Sequence, residues 1–515
     1  MQELPLNGFY SGESRKLSDR RCINWMLTPS DAGSLSTLSL METVGLDGPV
    51  SIGVSGDLAA GPITSQIFTF TTQDGKSAVI VKDDVVFFRG NTGFNSSAQF
   101  PNAVGDPLPV ETEFARMATN GIECVIICPS SKAGNTIDKL VYFGQDPTFT
   151  SGAFSLNTIF GTFIPSLVDV TYVGGRFLYV SNEIFVSGYN RVFYSPIGSI
   201  APVALDFFAP DNLASQLKGI DVINDRIYLF SEDKTFIYSV TASTDIPFRD
   251  NGEIEFGLYD ANAKCRYKGA IAGLFKGVGG AYGVGMLSGG GIQRIGTPAI
   301  DYQIQKALND SADELEIRMF SFSDKGRDML CITSSAFTFC YEAATGMWHE
   351  RRSIGERENW QIIGALDAPD NSIFVGDEAK DGAVGFIDMP FCGTNYSLGT
   401  ENGELVERVM ISAPFNASNQ RVMVDELQPQ CEVNYDTPVD GWAEPKINLS
   451  VSHDFGNTFE QERALNIGRA GNYTQETRFF NVGYYTQAFV IKLRTLNPYP
   501  TRIIRLLNRI TNGGA

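Results

Sequence analysis

Histidine is nearly missing from this chain, with only His349 and His453 among 515 residues. That leaves little for a Ser-His-Asp triad or a histidine-rich metal site. Trp348 is expected to anchor a strand by packing, with His349 pointing outwards, and His453 falls at the variable position of a turn. Neither is expected as a catalytic base. Uninterrupted apolar runs are lacking too. The one stretch worth weighing as a membrane span, Gly269 to Gly291, is broken by Lys276 and several glycines, so no membrane insertion is expected. The opening MQELPLNGFY has no apolar core, and no secretory leader is expected. The eight cysteines (Cys22, Cys124, Cys128, Cys265, Cys331, Cys340, Cys392 and Cys431) show no paired metal spacing. A reduced, intracellular chain is the expectation.

Positive charge is in short supply: 40 Lys and Arg stand against 59 Asp and Glu, a formal −19. Such a balance argues against holding nucleic acid through bulk charge. It is uneven, however. From Thr477 to Ala515 there are six basic residues and no acidic one, so subtracting their +6 from −19 leaves −25 on residues 1–476. A basic end on an acidic body is expected to dock on an acidic partner, although solvated arginines are common on any surface.

What the chain does have is alternation. Lys218 to Val240 reads KGIDVINDRIYLFSEDKTFIYSV. Ile220 and Val222 alternate with polar neighbours, Asn224-Asp225 offers a tight turn, and Ile227, Leu229, Phe236, Tyr238 and Val240 continue two more strands. This is the pattern of a short antiparallel meander, which cannot bury its apolar face alone. Comparable strand starts fall at Phe68, Ala115, Val168, Ile220, Ala270, Ile317 and Ile363, at gaps of 47, 53, 52, 50, 47 and 46 residues. A period near 50 with about four strands per period points to β-propeller blades.

The expected fold is therefore mainly β, a propeller of six or seven blades over residues 61–390. Residues 1–60 read as an extended N-terminal arm and platform segment, broken by Pro5, Pro29 and Pro49. Such arms often order only against a neighbouring subunit. A short helix is expected from Pro298 to Asn309, because Ile300, Ile304 and Leu308 lie four apart. Beyond residue 390 the strands lengthen, as at Ile447, Leu449 and Val451, and residues 391–515 read as a β-sandwich-like domain.

Glycine-rich stretches give no nucleotide site. Gly75-Lys76-Ser77 has Phe70 where the first glycine of a phosphate loop belongs. Gly280-Ala281-Tyr282-Gly283-Val284-Gly285 lacks dinucleotide spacing, and close strand packing near a propeller axis explains it more simply. Ser452-His453-Asp454-Phe455-Gly456-Asn457-Thr458-Phe459 resembles an Asp-box hairpin, in which Ser452, Asp454, Gly456 and Thr458 build a structural turn. Asp-boxes recur in sialidases, so a glycan-binding or glycan-cleaving propeller is the alternative reading. Cleavage would need a carboxylate pair or a tyrosine nucleophile with helpers, which linear sequence does not place.

Several phrases in order carry a resemblance. They are Ile23-Asn24-Trp25-Met26, Gly48-Pro49-Val50, Gly291-Ile292-Gln293-Arg294-Ile295 with Ala299-Ile300-Asp301-Tyr302, and Tyr341 to Arg351. Phe374-Val375-Gly376-Asp377, Glu407-Arg408-Val409, Leu449 to Phe459 and Leu465 to Tyr473 complete the series. Together they resemble the packaged-DNA stabilisation proteins, the tail nozzles or hubs, of short-tailed bacteriophages. Phe459 departs from the family's usual tryptophan. The resemblance implies a structural virion protein without catalytic residues or cofactors, assembled in the host cytoplasm. It implies six copies in a tube below the portal and adaptor, continuing the DNA ejection channel. It also implies closure by a tail needle or gate, and tailspikes or fibres on the flank. Double-stranded DNA would pass through the lumen without sequence-specific binding. On this reading Arg502, Arg505 and Arg509 face the adaptor, and reversing them to Glu weakens assembly onto the head.

Overall fold

The computed structural model describes residues 2–6, 8–12, 19–29, 38–43, 49–50, 67–72, 75–82, 85–90, 93–99, 116–121, 123–128, 139–145, 154–159, 167–182, 190–211, 215–243, 246–289, 291–312, 314–324, 326–353, 358–360, 362–367, 372–376, 386–388, 400–401, 404–416, 421–433, 445–468, 475–498 and 501–512.

Antiparallel meanders recur seven times among the described residues. Blade 1 comprises Ile67–Thr72, Gly75–Lys82, Val85–Gly90 and Gly93–Gln99, and blade 2 Arg116–Thr119, Glu123–Cys128, Lys139–Gln145 and Phe154–Ile159. Blade 3 comprises Leu167–Val173, Arg176–Ser181, Arg191–Tyr194 and Phe207–Phe208, and blade 4 Leu217–Ile223, Arg226–Ser231, Thr235–Val240 and Phe248–Ile254. In blade 5 the inner position is split between Gly257–Leu258 and Lys264–Tyr267, which both pair with Ala270–Lys276 before Tyr282–Ser288 and Gly291–Arg294. Blade 6 runs Arg318–Asp324, Arg327–Thr333, Thr338–Glu342 and Met347–Glu350. Blade 7 has Ile362–Asp367, Ser372–Gly376 and Phe386–Asp388, and takes its fourth strand from Pro49–Val50. The inner strands touch in succession, and that of blade 7 returns against that of blade 1. A strand from before the first blade thus closes the ring on the last.

Sequence explains the turns. Two-residue hairpins that suit the twist of the strands need positive φ at both central positions. Gly174-Gly175 (φ 59° and 80°), Asn224-Asp225 (48° and 61°) and Lys268-Gly269 (49° and 76°) supply them. From blade 2 to blade 7, each pair of neighbouring blades then buries its own apolar cluster. Tyr179 and Phe177 pack towards Val125 and Ile127 of blade 2, and Leu178 and Val180 pack towards Leu229 and Phe236 of blade 4. This alternation along one strand serves two interfaces, which is why strands buried on both faces read as near-continuous apolar runs.

The sandwich and its junction with the propeller are built from β1 (Arg21–Ile23), α1 (Pro298–Asp310), β2 (Met347–Glu350), β3 (Arg408–Ile411), β4 (Val422–Val433), β5 (Phe479–Tyr485) and β6 (Ala488–Thr495). A further strand, β7 (Thr501–Asn512), ends the described chain. One sandwich sheet orders Trp25–Pro29, Leu38–Glu42, β7, β4 and β5, with Gln2–Leu4 also paired to β7. The other runs β1, β3, β6, Lys446–Ser452 and Arg463–Asn466. Trp25, Leu40, Val424, Leu449, Phe489, Ile491 and Ile503 fill the space between them. Residues 21–29, in the stretch read as an arm, supply strands to both sheets.

Blade 6 and this second sheet are continuous. β1 pairs parallel with β2 at Ile23 and Glu350, and antiparallel with β3 at Cys22 and Met410. The helix α1 matches the expected Pro298–Asn309 to within one residue, with Thr297 as its N-cap and Pro298 in the first turn.

Candidate functional site

The best-built polar site in the described residues is the joint where blade 6, α1 and the sandwich meet. Asn24 lies at its centre. It is buried and has φ 54°, a left-handed conformation that asparagine tolerates better than most residues. There the chain leaves one sandwich sheet after Ile23 and enters the other at Trp25. Its side-chain amide donates to the carbonyls of Arg352 (3.0 Å) and Glu407 (2.8 Å) and accepts from the Arg352 N–H at 3.0 Å. Its own N–H donates to Glu350 O at 2.9 Å, and its carbonyl accepts from the Thr43 hydroxyl at 2.8 Å. One side chain thus ties the N-terminal segment to blade 6 and to the sandwich.

Charge reinforces the joint. Arg21 forms a fork on Glu350, Nε to Oε1 at 2.8 Å with Nη2 on Oε2, and Arg352 Nη2 donates to the same Oε2 at 3.1 Å. Burial pulls the Arg21 guanidinium down, but Glu350 and Glu358 hold it above its ordinary range. Two tryptophans close the flanks. The Trp25 indole donates to Thr501 O (3.2 Å) and the Trp348 indole to Ile295 O (3.0 Å). Next to Ile295, Arg294 Nε donates to Asp301 Oδ2 at 2.8 Å, and Asp301 Oδ1 accepts from Val284 N at 3.2 Å. A Cβ on Gly296 would collide with Asp301 Oδ1, so only glycine lets α1 approach this closely. Gly283 borders the same pair, on the third strand of blade 5 rather than beside the axis as expected. Four of the phrases that carry the family resemblance therefore converge in space: Ile23 to Met26, Gly291 to Tyr302, Tyr341 to Arg351, and Glu407 to Val409.

A second polar cluster sits among the inner strands. Lys264 Nζ lies 3.0 Å from Asp169 Oδ2 and 3.9 Å from Asp221 Oδ2, while Arg116 Nη2 lies 3.6 Å from Asp260 Oδ1. Asp169 also accepts from the N–H groups of Val170 and Ile220, both at 2.9 Å. Blades 2 to 5 are thus cross-linked near the axis by charge.

The residues singled out from sequence divide into two groups. At the Asp-box, Ser452 Oγ donates to Asp454 Oδ1 at 2.7 Å, and that oxygen accepts from Thr458 N at 2.8 Å. Asp454 Oδ2 takes the Thr458 hydroxyl at 2.6 Å, and Gly456 turns at φ 85°. These bonds, the Thr458 hydroxyl first, pull the Asp454 carboxyl down to about 2. The carboxylate is spent on its own hairpin. The three arginines all lie on β7. Arg502 reaches Ser39 Oγ (3.1 Å), Arg505 Nε reaches Gln430 Oε1 (2.5 Å), and Arg509, 61% exposed, lies 3.4 Å from Glu426.

Two expectations need correction. His349 is buried rather than outward, on a strand that lies inside the sheet between Thr338–Glu342 and β1, and burial together with Arg351 pushes its imidazole down to about 3. Cys331 and Cys340 are not both thiols. They face each other in register on adjacent strands of blade 6 and form a disulfide, a proximity that spacing alone does not reveal. No helix among the described residues is long and apolar enough to cross a membrane.

A propeller joined to a sandwich through the shared strand β1 defines the class, a mainly β protein of two welded units. Family models specify which. "Bacteriophage P22 Gp10, beta-propeller" matches residues 133–391, and "Bacteriophage P22 Gp10, beta-sandwich" matches residues 407–511. The chain belongs to this family of phage tail proteins that stabilise packaged DNA, and its place is the virion. No curated protein matches the sequence. Similar solved structures include the extracellular domain of a one-component system from B. thetaiotaomicron (9% identity, TM-score 0.39, 68% of this chain and 40% of that one). The β-propeller domain of the Pyrococcus furiosus Trilobed protease is another (10%, TM-score 0.35, 64% and 97%). The Pseudomonas aeruginosa periplasmic gluconolactonase is a third (14%, TM-score 0.34, 62% and 94%). These likenesses concern the fold alone.

Proposed function

We propose that the protein is the subunit of a tail nozzle. Six copies form a tube below the portal and adaptor, retain packaged DNA, and continue the ejection conduit. Tailspikes or fibres attach to its flank, and a needle or gate closes its end. In this reading the propeller of residues 61–390 is the outward block, and the sandwich of residues 391–515, with the segment 1–60, forms the platform. Assembly takes place in the host cytoplasm. The observation that carries the reading is the joint at Asn24, which makes propeller and sandwich one stiff body, as a wall that bears pressure from packaged DNA requires.

The charge balance fits such a wall. Each phosphate neutralised by Lys or Arg adds salt-dependent affinity, and a bore must pass DNA without holding it. A lumen that is acidic or neutral is the consequence, with Arg502, Arg505 and Arg509 turned to the adaptor. Electron microscopy of the assembled tail tests the whole reading. The expected map has six copies of this chain around the exit conduit, with no ring of Lys or Arg on the bore. A chain found elsewhere in the particle would overturn the proposal.

A further inference from the structure

The outer face of the β4–β5–β7 sheet carries large apolar side chains where solvent-facing strands are normally polar. Met423 and Tyr484 are direct cross-strand partners, and Phe480, opposite Glu426, lies just beyond a shift in register. They are 41%, 57% and 55% exposed. Scattered exposed apolar residues are ordinary, but neighbours on paired strands make a patch. Guanidinium groups frame it. Arg421 stacks over the Tyr484 ring at 4.5 Å, Arg463 Nη2 donates to Phe480 O at 2.6 Å, and Arg478 and Arg509 flank Glu426. Tyrosine, phenylalanine, methionine and arginine on one face is the composition of an interface centre.

The propeller presents the complementary surface. The outermost strand of blade 4, Phe248–Ile254, is exposed along most of its length and carries Arg249, Asp250 and Glu253, the last paired with Lys234 at 2.6 Å, with Glu255 just beyond. Ile246, 68% exposed, stands at its start. Strand edges of this kind leave unpaired backbone groups beside their charges.

We propose that the Met423–Phe480–Tyr484 face receives the blade 4 edge of a second copy of this chain. Arg421 meets Asp250, and Ile246 packs on the aromatic pair. The contact joins two different surfaces, so it does not close as a dimer, and it forms a ring where its rotation closes, as the nozzle reading requires. This rests on the nozzle reading and specifies which faces close the tube. The acidic balance elsewhere on the chain, −25 on residues 1–476, favours a protein edge of this kind over DNA as the occupant.

A photo-crosslinking phenylalanine analogue placed at position 484 of the full chain, in assembled phage particles, provides the test. The expected adduct is a dimer of this chain joining residue 484 to a peptide containing Phe248–Ile254. An adduct with DNA, with another tail protein, or with a different part of a second copy overturns the proposal, as does the absence of any adduct from chain incorporated in tails. A chain that never enters the tail sinks the nozzle reading itself, so the two failures are distinct. The double variant F480Q/Y484Q, which sets no acid beside the buried Glu426, provides a second arm. Both side chains point outwards, so its melting temperature should match wild type while incorporation falls by about tenfold or more. Undiminished incorporation would also overturn the proposal.

Discussion

Asn24 and Arg352 exchange hydrogen bonds in both directions, the side-chain amide of the first closing on the backbone N–H and C=O of the second at 3.0 Å each. The pair lies 328 residues apart in sequence and marks the point where propeller and sandwich become one sheet. Replacing Asn24 by Ala strands the Arg352 N–H and the Glu407 carbonyl in a buried joint and forces alanine into positive φ. The expected loss is roughly 3 kcal/mol. Asn24→Gly relieves the backbone strain but not the lost bonds, so it should recover only part of the loss. Urea midpoints tracked by tryptophan fluorescence check this, since Trp25 and Trp348 both flank the joint. Equal midpoints for wild type and Asn24→Ala would show that the joint is not a determinant of stability.

Near the propeller axis, Lys264 is held between Asp169 and Asp221. Burial pulls its ammonium down, but the two carboxylates outweigh burial and leave it raised. Lys264→Met leaves Asp169 buried without its cation and should cost about 3–5 kcal/mol. Adding Asp169→Asn removes the uncompensated charge, and the double variant should be more stable than Lys264→Met alone. A double variant that is no better would mean that the backbone bonds to Val170 and Ile220, rather than the ion pair, hold the cluster.

Much of this fold is legible in the sequence because propeller strands repeat a local pattern. The strand starts at Phe68, Ala115, Val168, Ile220, Ile317 and Ile363 lie within three residues of observed inner strands. Ala270 begins the second strand of blade 5 instead, because the inner position there is broken into two short pieces around residues 261–263. Alternation cannot show such a break. The closure of blade 7 is hidden for another reason. Pro49–Val50 is two residues long and begins with proline, which reads as a strand stop, yet an edge strand needs few donors. Long-range pairing hides the joint as well. The Ile23–Glu350 bridge leaves no periodic trace, and the resemblance marks its phrases without saying that they meet. The inner charge cluster escapes notice because the phrases beginning Asp169-Val170 and Asp221-Val222 look equivalent. Counted back from the hairpin turns, Asp169 corresponds to Gly219, and the missing side chain is what lets Asp169 and Lys264 fit there.

Acid should act on this protein partly through His349. The folded chain keeps that imidazole neutral until about pH 3, whereas the unfolded chain protonates it near 6.5. Between those values the unfolded state binds the extra proton, so stability falls as pH drops through the window. The slope from this group is about 1.4 kcal/mol per pH unit. His349→Gln should flatten the wild-type dependence of the urea midpoint between pH 6 and 4 by that amount. Parallel profiles for the two proteins would mean that the buried histidine does not resist protonation.

The basic strand β7 invites a charge test, but the structure changes which substitution is informative. Arg509 lies against Glu426, which is buried, so Arg509→Glu would set two acids together and risk unfolding the sandwich. Neutral glutamine at positions 502, 505 and 509 avoids this. It removes three positive charges while keeping long polar side chains for Ser39 and Gln430. If these arginines face an acidic adaptor, the triple glutamine variant should join adaptor-bearing heads more slowly than wild type. The deficit should shrink as salt rises, because screening weakens wild-type attraction and has little to act on in the variant. Arg478, on the same sheet but paired with both Glu426 and Glu476, serves as the control, and Arg478→Gln should leave the joining rate near wild type. Equal rates for triple variant and wild type at low salt would show that β7 does not steer docking.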